Sequence, residues 1–189
     1  MRSLRLAVRL LPVLVALLAA RPAAAARLEV DVARSRVEFA VAATVDSFTG
    51  QLRKHEAEVT LGPAGEVAAA RFRFRCADLV TGKDARDVAM QRWLESAAHP
   101  AAEFILDRLD PGEGGAGGWL AKGRLQLHGV ERGLWFPVTV TTDGPERVIT
   151  GEATLDTREH GLPVIRMLGL LKVDPLVRVK FELRGRVNP

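Results

Sequence analysis

The sequence predicts an all-β domain: an antiparallel barrel or sandwich of about eight to ten strands with one short helix. Three observations carry that expectation. Apolar and polar residues alternate over several segments, turn residues separate those segments, and only one stretch has helical spacing.

The first candidate strand covers 28–33. In the second, Val37, Phe39 and Val41 alternate with Arg36, Glu38 and the small Ala40. Successive side chains on a strand point to opposite faces, so this segment has one apolar face and one polar face. A strand over 51–61 runs into the turn residues Gly62, Pro63 and Gly65. Phe72, Phe74 and Cys76 then alternate with Arg71, Arg73 and Arg75. The period changes over 84–94, where Met90, Trp93 and Leu94 stand at i, i+3 and i+4 among charged residues. That spacing is a short amphipathic helix, ending before His99 and Pro100.

Strands resume at 102–109, and Asp110, Pro111 and Gly112 mark a turn. The glycine-rich stretch 112–118 lies between two strand-like runs, which makes it a hairpin loop rather than an interdomain linker. Leu125 and Leu127 alternate with Arg124, Gln126 and His128, placing that histidine on the outer face. Leu134, Phe136, Val138 and Val140 alternate with Trp135, Pro137, Thr139 and Thr141, and a turn at Asp143, Gly144 and Pro145 leads to a strand over 147–156. Residues 161–171 are largely apolar with no clear period. Finally, Val177, Val179, Phe181 and Leu183 alternate with Arg178, Lys180, Glu182 and Arg184.

The formal net charge of +4 does not signal an anionic partner. Residues 1–26 hold Arg2, Arg5, Arg9 and Arg21 and no acid, so the remaining chain balances at 23 basic and 23 acidic residues. Three arginines, an apolar run over 10–20 and four alanines at 23–26 have the form of a secretory signal peptide cleaved near Ala26. The apolar run is too short for a membrane span, which needs roughly 20 residues. A single domain over 27–189, periplasmic or secreted, is expected. No other stretch has the length of a spanning helix.

The charged strand faces also argue against an outer-membrane barrel. Charges facing lipid at mid-bilayer cost roughly 2–4 kcal/mol each, so Arg71, Arg73 and Arg75 would together cost on the order of 6–12 kcal/mol. The lone Cys76 cannot form an internal disulfide and is expected to be a buried small hydrophobe.

Motifs for catalysis are missing. Ser35, Ser47 and Ser96 lie outside any nucleophile elbow. His55, His99, His128 and His160 are at least 29 residues apart, and the His55-Glu56 pair lacks a second histidine because position 59 is Val, so no metal site is expected. Glu56 and Glu58 share a solvated face with Lys54. The Arg71–Arg75 run interleaves arginine with Phe72 and Phe74, yet on a strand the two types face opposite ways, so bases could not stack where phosphates bind. Neither catalytic residues nor a nucleic-acid partner are assigned.

What remains is the interior. Its expected lining is apolar: Val37, Phe39, Val41, Phe72 and Phe74 from the first half, Met90 and Trp93 from the helix, and Phe104, Leu125, Leu127, Phe136, Val138, Val179 and Phe181 from the second half. Ala70, Gly123, Gly151 and Ala153 are small inward positions that would leave space. Small barrels either fill their centre with side chains or hold one ligand. The sequence leaves both open, the filled form acting as an interaction or stress-response module.

The order of features resembles the YceI-like polyisoprenoid-binding family over about 29–187. Val30-Asp31 with Ser35, Val37 and Phe39 is similar to its first strands, and Phe48-Thr49-Gly50 to its following turn. Arg86-Asp87, Met90 and Trp93-Leu94 resemble its helix, and Pro100 with Phe104 its next strand. The run from Gly123 to Val130, with Leu125, Leu127, His128 and Gly129, is the most specific match, and 151–162 with Val177, Val179, Phe181 and Leu183 complete the series. The chain departs at Ala89, where many relatives have histidine, and at His99, where an aromatic residue is common. The resemblance implies a lipocalin-like antiparallel β-barrel of about eight strands with the helix at its mouth. It also implies no enzymatic activity, no covalent cofactor, and a long-chain polyisoprenoid or isoprenoid quinone held inside for storage or transport. The helix and 161–171 would gate the mouth, His128 would be a hydrogen-bonding residue at a strand end, and monomer or homodimer is left open.

Overall fold

The computed structural model describes residues 26–63, 65–112, 118–167 and 171–188. The expected leader lies outside them except for Ala26, which opens the first strand. The strands are β1 (Ala26–Val30), β2 (Arg36–Ala43), β3 (Phe48–Leu52), β4 (Glu56–Leu61), β5 (Val67–Arg75) and β6 (Leu79–Val80). Helix α1 (Asp84–Trp93) is followed by β7 (Ala101–Pro111), β8 (Gly118–Leu127), β9 (Val130–Asp143), β10 (Glu146–Asp156), β11 (Arg166–Met167) and β12 (Leu171–Asn188).

All pairings are antiparallel. The ladder runs β1-β4-β5-β7-β8-β9-β10-β12, and β12 pairs back onto β1. This closes an eight-stranded barrel and removes the exposed sheet edge. The barrel reading therefore holds and the sandwich does not.

Two expected strands are interrupted. The segment 28–33 ends at Val30, because Asp31 Oδ1 accepts hydrogen bonds from the amides of Ala33 (3.0 Å) and Arg34 (3.2 Å). Ser35 Oγ then donates to the Asp31 carbonyl (2.7 Å) and accepts from the Arg184 amide (3.1 Å), which fastens the bend to β12. The long β12 thus pairs with β1 through its last residues and with β2 through 173–182. The segment 51–61 is likewise two strands, since β3 pairs with β2 and β6 while β4 pairs with β1 and β5. These breaks let one strand turn a barrel corner without losing its partners.

The faces sort as the alternation requires. Arg71 and Arg73 point outward and flank Glu103 at 3.5 and 3.3 Å, while Phe72 and Phe74 point inward. The two guanidinium groups are about half-exposed, so each pair adds little stability, roughly 0–1 kcal/mol. Their arrangement still shows that the charged rows belong to the outside. Cys76 is 1% exposed, and burial pushes its thiol pKa up. An inert buried hydrophobe is the role that fits it. Strands β7 and β8 pair up to Pro111 and Trp119 on either side of 112–118, as a hairpin requires, although residues 113–117 lie outside the described residues. Among the described residues no helix is long and apolar enough to cross a membrane.

Candidate ligand-binding cavity

One end of the barrel is packed with Leu28 and Leu61, which are 4% and 2% exposed. The other end is spanned by α1 and the segment 162–165. Between them runs a cavity of about 740 Å3, within the range of about 300–1,000 Å3 usual for small-molecule sites. Filling a barrel with side chains would leave no such volume.

Every residue expected to line the interior borders this cavity. Val37, Phe39 and Val41 come from β2, Phe72 and Phe74 from β5, Met90 and Trp93 from α1, and Phe104 from β7. Leu125 and Leu127 come from β8, Phe136 and Val138 from β9, and Val179 and Phe181 from β12. Val140 and Leu183, inward by the alternation, also border it, as do Leu106 and Ile149. Phe104, Phe136 and Phe181 form a continuous aromatic wall, with ring centroids 5.3 and 5.7 Å apart.

The small positions behave differently from expectation. Ala70 and Ala153 do face the cavity, but Gly123 and Gly151 do not leave space. A Cβ at Gly123 would stand 2.5 Å from the Phe104 ring, and one at Gly151 would stand 2.6 Å from the Phe181 ring. The Phe39 ring lies over Gly50 in the same way. Each glycine lets a ring lie against the sheet backbone. The volume at the centre exists because three large side chains are folded onto the wall.

Helix α1 is anchored by polar contacts that explain its motif. Asp87 Oδ1 accepts from the Thr81 amide (2.8 Å) and hydroxyl (2.6 Å), and Gln91 Nε2 donates to the Cys76 carbonyl (2.7 Å). Trp93 Nε1 donates to the Pro163 carbonyl (2.8 Å), joining the helix to 162–165. The two segments expected to gate the mouth therefore touch each other, although 168–170 lie outside the described residues. A polar rim, missed in the sequence, borders the same end: Asp46, Arg86, Arg92 and Asp174. Arg86 Nη2 donates to Asp46 Oδ2 (2.8 Å), and its guanidinium stacks 4.2 Å from the centroid of the Phe48 ring.

The histidines need correction. His128 is not on the outer strand face but in the turn after β8, with φ of 51°, and its Nδ1 lies 3.1 Å from the His160 carbonyl. It does bond at a strand end. His99 and Glu95 approach it, so that ligand atoms of the three lie within 4.8 Å of one another. No metal-ligand spacing in the sequence announced that cluster. His55 is buried at 8% exposure and stacks on Phe72 at 5.0 Å. Neither ring nitrogen has a hydrogen-bond partner among the described residues, and burial holds its pKa below the ordinary value.

The YceI-like domain model matches residues 28–185, nearly the whole barrel. The chain belongs to the YceI-like family. Among solved structures, BcnA of Burkholderia cenocepacia superimposes with a TM-score of 0.73 at 21% identity, covering 83% of this chain and 99% of that one. A polyisoprenoid-binding domain from Saccharophagus degradans, described as implicated in plant cell wall breakdown, gives 0.65 at 19% identity, covering 87% and 99%. The YceI protein of Campylobacter jejuni gives 0.65 at 11% identity, covering 77% and 88%. At these identities the likeness concerns the fold. No curated protein matches the sequence. In this YceI-like chain, then, the family fold encloses a large apolar cavity under a polar-rimmed helix.

Proposed function

We propose that the protein is an exported lipid carrier rather than an enzyme, holding a polyisoprenoid or isoprenoid quinone in the barrel for storage or transport. The cavity carries this reading: about 740 Å3 bordered mainly by apolar side chains, Phe, Leu and Val foremost, with charged residues confined to the rim. Inside that rim the lining is apolar and selects a ligand by its hydrocarbon body. Each buried methylene contributes about 0.8 kcal/mol, whereas association itself costs roughly 4–15 kcal/mol. About ten buried carbons barely offset that cost, so long chains are selected over short ones. The polyisoprenoid-binding domain with the same fold supports an isoprenoid chain.

The chain would lie along the aromatic wall of Phe104, Phe136 and Phe181, with its head at the rim near Arg86 and Arg92. The leader at 1–26 would deliver the protein across the inner membrane before cleavage. Delipidated protein should take up labelled polyprenol with one chain per barrel, and a short alcohol such as geraniol should not compete at equal concentration. Absence of uptake by correctly folded protein would overturn the proposal.

A further inference from the structure

We propose that Glu95, His99 and His128 form a binding site for a divalent transition-metal ion, zinc foremost, on the wall of the barrel beside α1. The inference is independent of the lipid in the cavity. Glu95 follows the end of α1, His99 precedes β7, and His128 occupies the turn between β8 and β9. Two segments, the α1–β7 connection and the β8–β9 turn, thus bring two imidazoles and a carboxylate to one point.

The distances suit an ion. The three ligand atoms lie within 4.8 Å of one another, and Glu95 Oε2 is 3.5 Å from His128 Nε2. Ligand atoms around a tetrahedral zinc with bonds of about 2.0–2.1 Å stand roughly 3.4 Å apart. A 3.5 Å separation is too long for a good hydrogen bond and right for two atoms sharing an ion. The carboxylate is 64% exposed and free to close the remaining gap, while the His128 side chain is only 14% exposed.

His128 is prepared for the role. Its Nδ1 meets the His160 carbonyl at 3.1 Å, an acceptor that can be satisfied only if Nδ1 carries the proton. Nε2 then presents a lone pair toward Glu95 and His99. That atom is buried and has no hydrogen-bond partner among the described residues. A metal-bound histidine typically has such a carbonyl behind its second nitrogen, fixing tautomer and ring orientation. The rings of His99 and His128 stand 4.4 Å apart, and a Cβ at Gly129 would come within 3.1 Å of the His99 ring, so that ring is closely confined.

Backbone strain coincides with the cluster. Glu95 (φ 49°) and His128 (φ 51°) are the only residues other than glycine with positive φ among the described residues. Conformations of this kind persist where the surroundings over-determine them. Imidazole and carboxylate ligands without a thiolate suit zinc, copper(II) or nickel(II) rather than calcium or magnesium, which prefer all-oxygen sites. Three protein ligands leave a fourth position for water. An ion there ties the C-terminal end of α1 to the β8–β9 turn.

The test uses tag-free protein stripped with chelator. Calorimetric titration with zinc should show one ion per chain, and binding should raise the melting temperature. Cobalt(II) should give the intense visible bands of a four-coordinate ion. Glu95→Gln, which keeps the side chain's shape, and His99→Ala, which adds no bulk where the ring is confined, should weaken zinc binding beyond the roughly 10–100-fold that changes to residues behind the ligands cost, with unchanged circular dichroism. Absence of stoichiometric zinc binding, a cobalt spectrum of the hydrated ion, or variants that bind zinc as tightly as the parent would each overturn the proposal.

Discussion

Phe181 stands opposite Gly151 across the β10–β12 ladder, its ring 2.6 Å from where a Cβ at position 151 would be. The Pro137 carbonyl closes the same space at 2.9 Å. Gly151→Ala must therefore push the ring off the wall toward the cavity and break its edge contact with Phe136. Overpacking of this kind costs about 1–3 kcal/mol. The urea midpoint should fall accordingly while the unfolding slope stays the same, and lipid capacity should fall with it. A variant as stable as the parent would show that the ring is not held there.

Ala153 separates occupancy from folding. It is 6% exposed, borders the cavity and pairs with Val179 on β12. An indole at this position has room to enter the empty volume, so Ala153→Trp should retain a native circular dichroism spectrum yet take up no labelled polyprenol. Undiminished uptake would place the ligand elsewhere.

The Trp93–Pro163 hydrogen bond joins the two segments over the mouth. Trp93→Phe keeps most of the apolar surface and removes one hydrogen bond, worth about 0.5–1.5 kcal/mol. Stability should drop by no more than that, whereas release of bound lipid to acceptor vesicles should become faster. Equal release rates would show that this contact does not restrain the mouth.

His55 sets a pH dependence. Burial lowers its pKa in the folded state below the ordinary 6.5. Between the folded value and 6.5 the unfolded chain binds more protons than the native one, so stability rises with pH across that window. The penalty is absent above 6.5 and grows as pH falls below it, levelling off beneath the folded pKa. His55→Phe, which keeps a ring against Phe72, should flatten the fall of the urea midpoint as pH drops below 6.5 relative to the parent. An identical slope in both proteins would remove His55 as the cause.

Much of this structure was legible because period-two alternation survives in long strands. Once Phe72, Phe74, Phe136 and Phe181 are assigned a parity, their inward direction follows from strand geometry alone. The bends at 31–35 and 53–55 were not legible, since they depend on which neighbour each half-strand pairs with. Register hid the glycine–phenylalanine pairs: Gly50 looks like a turn residue until β2 and β3 are aligned and Phe39 falls opposite it. Asp46, Arg86, Arg92 and Asp174 became a rim only when α1 was placed over the barrel end. His99 and His128 meet because the β7–β8 hairpin returns the chain beside its own start, and no local pattern encodes that.

The central claim is that the apolar interior holds a long isoprenoid. Native mass spectrometry of protein purified from its native organism, without detergent, tests it most directly. The expected result is one bound molecule per barrel whose extracted mass is that of a polyprenyl lipid or isoprenoid quinone. Barrels that are uniformly empty, and remain so after incubation with polyprenol, would contradict it.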